Sequence, residues 1–225
     1  VARRGHEEVA DMKKPITFYY ASGSPYAWRV WLALEHKGLD YALKLMSFDK
    51  GDLQQPDFAA LNPRQRVPVL VDGDFTLRES TVIVEYLDEK YADRPRLFAT
   101  DAKAKAQQRL LIREADNYIQ PVLEEFAEAI FTPEDKRKPG HIGDCIARLN
   151  DELAIWDASI AGDYLTGDLS AVDFTLFPQL ALIIRFAKRL PASSAKLKLG
   201  RHLQAWFERM EALPVVTKTW PPHWK

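Results

Sequence analysis

A proline opening an apolar run that ends in Asp-Gly, with a second apolar run just beyond, restricts this fold more than any other feature. In Val67-Pro68-Val69-Leu70-Val71 and the later Phe75-Thr76-Leu77, Asp72-Gly73 lies between β-branched and aromatic residues. That is a strong hairpin signal, because both turn residues tolerate the positive φ of a type I′ turn. Two antiparallel strands are therefore expected. Pro68 has no amide hydrogen and belongs at a strand start or edge. It is expected to leave Val67 at an open edge, whose unpaired backbone groups an extended peptide could join. Directly after the second run, Glu79-Ser80-Thr81 places an acid and a hydroxyl where a helix begins, with Ile83, Tyr86 and Leu87 on one face. A helix N-terminus favours an anion.

Upstream, Ile16-Thr17-Phe18-Tyr19-Tyr20 reads as a strand. Ala27, Val30, Trp31 and Leu34 then recur at helical spacing, Gly38 stands where a C-terminal cap belongs, and Tyr41 to Met46 reads as a second strand. This βαβ unit predicts parallel strands joined by a right-handed crossover. Residues 47–61 are polar and turn-rich and predict an irregular segment. The order βαβ, irregular segment, ββα predicts an α/β thioredoxin-like domain over 15–92, with a mixed four-stranded sheet. Strand signals cease after Asp93-Arg94-Pro95-Arg96, so 93–100 is expected to be a linker and 101–225 an all-α helical bundle. Its helices are expected over 102–130, 141–160, 171–188 and 199–212. Ile142, Cys145, Ile146, Leu149, Leu153 and Trp156 form the apolar stripe of the second. Residues 1–11 are polar and without period, Met12-Lys13-Lys14-Pro15 reads as a natural start, and 1–14 is expected to be a mobile extension carrying no chemistry.

Composition narrows the function. Lys and Arg total 31 against 32 Asp and Glu, a formal charge of −1 that gives no electrostatic case for nucleic acid or an anionic membrane surface. No apolar run approaches the roughly 20 residues that span a bilayer, and Arg3-Arg4 precedes no signal-peptide core, so a cytoplasmic protein is expected. The single cysteine, Cys145, excludes an internal disulfide and dithiol chemistry, and its place on an apolar stripe reads as packing. No Cys/His cluster has metal-ligand spacing, so no metal is expected.

Read with Ser24-Pro25-Tyr26-Ala27-Trp28-Arg29-Val30 upstream and Tyr164-Leu165-Thr166-Gly167-Asp168-Leu169-Ser170-Ala171-Val172-Asp173 downstream, the chain resembles the cytosolic glutathione S-transferases, serine-type with some zeta-like loop features. The resemblance runs from about Ile16 to the C-terminal helices and rests on three motifs in order. It implies the same two-domain fold, glutathione as co-substrate, a small hydrophobic electrophile as second substrate, and a homodimer. A free thiol with a pKa near 8.5 is only about 3% thiolate at neutral pH. A shift of about two units corresponds to ~2.7 kcal/mol and raises the reactive fraction about 25-fold.

The resemblance assigns the hydroxyl that favours this anion to Ser24, directly before the residues matching Pro25 to Val30. Ser22 and Tyr26 compete for the role, Tyr19 or Tyr20 would take it in a tyrosine-type branch, and Ser24 reads equally as a helix cap. Val67-Pro68 resembles the family's cis-proline, whose preceding residue pairs by backbone with the cysteinyl part of glutathione; an ordinary trans proline has the same sequence. Glu79 and Ser80 match the pair that holds the γ-glutamyl end. For the glycyl carboxylate, Gln54, Gln55 and Gln65 are candidates. The glycine-free, zeta-like loop Asn62 to Pro68 leaves Gln65 and Arg66 both open.

The electrophile is expected against Arg109, Arg113, Asp116, Asn117 and Tyr118, residues that read equally as a solvated face or a dimer surface. Ser170-Ala171-Val172-Asp173 is a capping-box start; Asp173 is expected to be buried and its loss destabilising, and Pro178 to bend the helix. The absence of cysteine near position 24 argues against disulfide exchange, and His36, His141 and His202 have no triad-like partners. A zeta-type glutathione-dependent cis-trans isomerase and a non-enzymatic binding module are the alternative readings.

Overall fold

Ile16 and Phe18 point inward along β1 (Ile16–Tyr20), and this alternation seeds a sheet. The computed structural model describes residues 16–160, 162–191 and 196–224, and the expected extension over 1–14 lies outside them. After β1 come α1 (Pro25–His36), β2 (Tyr41–Leu45), α2 (Pro56–Leu61), β3 (Val69–Asp72), β4 (Phe75–Arg78) and α3 (Ser80–Lys90). The strand order is β2-β1-β3-β4, with β1 and β2 parallel and the other pairs antiparallel. This is the mixed thioredoxin-like sheet that the order of periodic segments predicts. Phe18, Leu70, Ile83 and Leu87 are buried where α1 and α3 meet the sheet, and Leu53 and Phe58 pack on Val69 in a second cluster.

In this half three expectations are corrected. Residues 47–61 are not irregular throughout: a 3₁₀ turn covers Asp52–Gln54 and α2 follows, opened by Pro56. Six residues are too few for a helical period to show in sequence. The hairpin pairs Asp72 with Phe75, so its central residues are Gly73 and Asp74. Only Gly73 has positive φ (+70°), the type II′ pattern with glycine first, not type I′. Finally, β3 is an inner strand. Val67 therefore lies beyond the paired residues at the end of the strand, not along a side edge of the sheet.

Asp72 anchors this corner. Its carboxylate accepts from Lys90 Nζ (2.6 Å), Tyr86 Oη (3.0 Å) and Tyr91 Oη (3.0 Å). Burial pushes its pKa up, but the three donors outweigh burial and hold it below the usual carboxylate value. An acid held low adds stability that is present above its unfolded pKa and lost as pH falls through the folded one. Asp72→Asn is expected to cost about 1–3 kcal/mol at neutral pH. Urea titrations should show wild type and variant converging in acid.

The second half is helical: α4 (Ala102–Glu114), α5 (Gln120–Phe131), α6 (His141–Ser159), α7 (Ala171–Ala187), α8 (Arg201–Glu211) and α9 (Pro214–Thr219). The single helix expected over 102–130 is interrupted by a π-helical turn, Ala115–Ile119, in which the Gln120 N–H reaches back five residues to the Ala115 carbonyl. Pro121, with no N–H to donate, follows directly. Such turns re-aim side chains without breaking the apolar stripe, so periodicity does not reveal them. The short α9 and a 3₁₀ turn at Pro222–Trp224 extend the chain beyond the expected helices.

Helix α7 is buried almost all round and forms the bundle's axis. Its N-terminus is held by the expected capping box. Asp173, fully buried, accepts from the backbone N–H of Leu165 (3.0 Å) and Ser170 (2.8 Å), Ser170 Oγ (3.0 Å) and Trp206 Nε1 (2.8 Å). Burial raises its pKa despite these donors.

One continuous apolar core joins both halves, with Trp28 of α1 edge-on to Phe177, Trp220 and Trp224. The segment between α3 and α4 is pinned as well. Buried Lys37 donates to Asp88 Oδ1 (3.1 Å) and to the Pro95 carbonyl (3.0 Å), and Asp88 accepts the Leu97 N–H (2.7 Å). The Leu97 carbonyl in turn accepts the N–H of Ala171 at the start of α7 (3.0 Å). The second half is thereby fixed against the sheet.

Candidate active site

The chain leaves β1 through Ala21-Ser22-Gly23-Ser24 and enters α1 at Pro25, whose fixed φ suits a first helical position. Gly23 makes this turn at φ +83°, a conformation that favours glycine. Ser24 caps the helix in extended conformation, its Oγ accepting the Ala27 N–H at 3.4 Å. Among the described residues no acceptor takes the Ser24 hydroxyl proton, and the hydroxyl sits beside the unpaired amides and positive dipole end of α1. Ser22 is engaged differently: its Oγ lies 3.0 Å from His223 Nδ1.

Next to this loop is a cavity of about 400 Å³ between the sheet end and the bundle. Val67 and Pro68, joined by a cis peptide bond, form its floor. Glu79, Ser80 and Thr81 bring the N-terminus of α3 to one side, with the Ser80 side chain buried. Glu79 has φ +68°. A bulky residue held there costs of order 1–3 kcal/mol, strain that clusters where a backbone must present itself to a ligand. Arg64 and Arg66 line the cavity from the loop before Pro68; Arg113, Asp116 and Asn117 face them from α4 and its π-helical turn. Arg64, Arg66 and Arg113 have no salt bridge to any described residue. The cavity thus offers backbone groups at a strand end, a helix N-terminus and three cations unpaired among the described residues, a set that suits an extended ligand with more than one carboxylate.

Tyr26 also lines the cavity. Burial first, then Asp116 and Glu124, push its pKa up to about 12 against the opposing pull of Arg29 and Arg66, so it stays a neutral phenol. Burial likewise raises Tyr20. Ser24 is outside the cavity lining, two residues before Tyr26. Gln54, Gln55 and Gln65 do not line the cavity. Arg109 does not either, being paired on the surface with Glu85 (2.6 Å), and Tyr118 is exposed. Asp116 is not a solvated residue: it holds buried Arg29 through two hydrogen bonds (2.5 and 3.0 Å) and accepts from Gln179 (3.2 Å). Cys145 is buried, and burial pushes its thiol pKa up. No group of His, Cys, Asp and Glu among the described residues could hold a metal ion, and no described helix is long and apolar enough to cross a membrane.

Sequence reasoning missed His223 and Trp224, which reach this loop from the far end of the chain. The cluster Trp220-Pro221-Pro222-His223-Trp224 is unusual enough to flag, but nothing in it indicates where it folds back to.

Residues 18–95 match the N-terminal domain of glutathione S-transferases. The chain is 30% identical over 204 residues to glutathione S-transferase 4 of Zea mays, covering 87% of each chain. It is 27% identical over 225 residues to glutathione S-transferase A of Pleuronectes platessa, covering 95% of this chain and 94% of the relative. Among solved structures, a glutathione S-transferase from the Antarctic clam Laternula elliptica superposes with a TM-score of 0.81 at 31% identity, covering 94% of both chains.

Proposed function

The chain belongs to the glutathione S-transferase family, and from that premise we propose that it is an enzyme that binds glutathione in the cavity above Val67-Pro68 and adds its thiolate to a hydrophobic electrophile. The observation that carries this reading is one cavity uniting a strand end free to pair with a peptide, the N-terminus of α3 at Ser80, and the entry to α1. In this reading the Val67 backbone pairs with the cysteinyl residue, and Ser80 receives the γ-glutamyl carboxylate through hydroxyl and amide. Glu79 meets the amine. Arg66 takes the glycyl carboxylate in place of the glutamines, since it lines the cavity and has no salt bridge to a described acid. Ser24 donates its hydroxyl to the sulfur: its proton has no acceptor among the described residues, whereas the Ser22 hydroxyl is already paired with His223 Nδ1.

The test is titration calorimetry with glutathione, followed by conjugation of a chlorodinitrobenzene. Binding without turnover on any electrophile would leave a binding module in place of an enzyme. Ser80→Ala is expected to weaken glutathione about 10-fold, the lower end for a hydrogen bond to a charged group because the backbone amide remains. The homodimer is proposed to form across α3 and α4. There the Glu85–Arg109 pair sets the two helices side by side, and Val82 and Leu110, each 49% exposed, leave an apolar face uncovered. Sedimentation at micromolar concentration should give twice the chain mass.

A further inference from the structure

The segment Pro221–Trp224 folds back over the loop that precedes α1. Besides the contact between His223 Nδ1 and Ser22 Oγ (3.0 Å), a β-carbon added at Gly23 would come within 3.1 Å of Trp224 Nε1 and 3.2 Å of His223 Cε1. The two segments of chain are therefore in contact, and any side chain at position 23 would have to push the His223 and Trp224 rings back by a few tenths of an ångström. The Trp224 ring stands edge-on to Trp28 of α1, centroids 5.4 Å apart. Arg185 of α7 fastens the tail from its other side. It donates to the carbonyls of Trp224 (3.3 Å) and His223 (3.2 Å), and its guanidinium carbon lies 5.2 Å from the Trp224 ring centre. A tail held by helix α7 thus rests on the hydroxyl-bearing turn at the other end of the sequence.

We infer that His223 is a positioning residue for thiol activation: by accepting the Ser22 hydroxyl proton it holds the turn Ser22-Gly23-Ser24 so that the Ser24 hydroxyl proton faces glutathione. This rests on the transferase reading. The pair is not the start of a nucleophile–histidine hydrolase. In such a dyad a carboxylate orients the imidazole and stabilises the imidazolium; among the described residues His223 has no carboxylate partner and faces Arg185, which opposes protonation. Burial and Arg185 both lower its pKa, which favours the neutral ring, and we assign that ring its Nε2–H tautomer, the one in which Nδ1 accepts from Ser22. A neutral acceptor that takes the Ser22 proton leaves Ser24 the only serine of the turn with a proton to spare.

The experiment compares wild type, His223→Ala, His223→Asn, Ser22→Ala and the double variant Ser22→Ala/His223→Ala, using steady-state conjugation of a chlorodinitrobenzene and calorimetric binding of glutathione. His223→Ala is expected to lower kcat about 10-fold, the size of one neutral hydrogen bond, with the glutathione Kd within about twofold of wild type. The double variant should be no slower than the slower single one, because both substitutions remove the same contact. Asn, whose amide oxygen reaches the place of Nδ1, should restore most of the rate, and that rescue separates positioning from general packing at the tail. Undiminished kcat in His223→Ala, additive losses in the double variant, or an Asn variant as slow as Ala would each overturn the inference while leaving the transferase reading intact. A wild-type chain that does not bind glutathione would overturn both.

Discussion

Ser24→Ala is expected to lower kcat/KM with glutathione by about 10²- to 10³-fold, the loss typical of one donor aimed at a developing anion, while the glutathione Kd stays within about threefold. In the proposed arrangement Val67, Ser80 and the arginines hold the tripeptide, so binding should survive; the hydroxyl acts on the sulfur, so the rate should not. The pH profile should move too. With the donor gone, the apparent thiol pKa climbs back toward its free value near 8.5, and activity at neutral pH falls more than activity at alkaline pH. Ser24 also caps α1, a role worth about 0.5–2 kcal/mol of stability. Ser24→Asp separates the two functions, since aspartate caps a helix as well as serine but places a negative charge beside the thiolate. It should melt like wild type and be slower than Ser24→Ala. If Ser24→Ala kept its rate while Ser22→Ala lost it by the same large factor, the donor would be Ser22.

The parts of this molecule that sequence reveals are those governed by local chemistry. The hairpin follows from Gly73 and its β-branched neighbours, the start of α1 from Pro25, the capping box of α7 from Ser170 and Asp173 three positions apart, and the buried stripe of α6 from its period. Local signals also brought Val67, Pro68, Glu79 and Ser80 to one cavity. What stayed hidden depends on distant partners or on a single misplaced hydrogen bond. The π-helical turn at Ala115–Ile119 leaves hydrophobic spacing intact, so the turn itself gives no signal, although Asp116 and Asn117, which it carries to the cavity, are expected near the site from sequence. Arg66 and Gln65 are neighbours of opposite outcome because Gln65 adopts φ +53° and lies outside the cavity lining while Arg66 enters it, a backbone choice no composition rule anticipates. The tail contact between Ser22 and His223 spans 201 positions, and no local signal encodes it.

Asp116→Ala is expected to destabilise the folded chain by about 3 kcal/mol, the lower end of the range for breaking a buried pair, because the Asp116 side chain retains 13% exposure. Arg29 retains none, and its guanidinium would be left charged inside the junction of α1 with the bundle, with Gln179 also losing its acceptor. The loss therefore measures an abandoned charge more than the strength of the pair, since desolvation offsets much of the Coulomb gain when both partners are present. That distinction is testable. Arg29→Met/Asp116→Leu removes both charges and fills similar volume, and should recover most of the stability that Asp116→Ala loses. Urea titrations followed by tryptophan fluorescence would read both, with Trp28 at the same junction as reporter. A change in slope as well as midpoint would mark uncoupling of the two halves. Activity should not follow stability. Asp116 and Tyr26 line the cavity proposed to hold glutathione, and Arg29 lies 5.2 Å from the Tyr26 ring centre, so the apolar double variant should fold well while its KM for glutathione rises. A double variant as unstable as Asp116→Ala would show that the ion pair itself, and not relief of a stranded arginine, holds the junction.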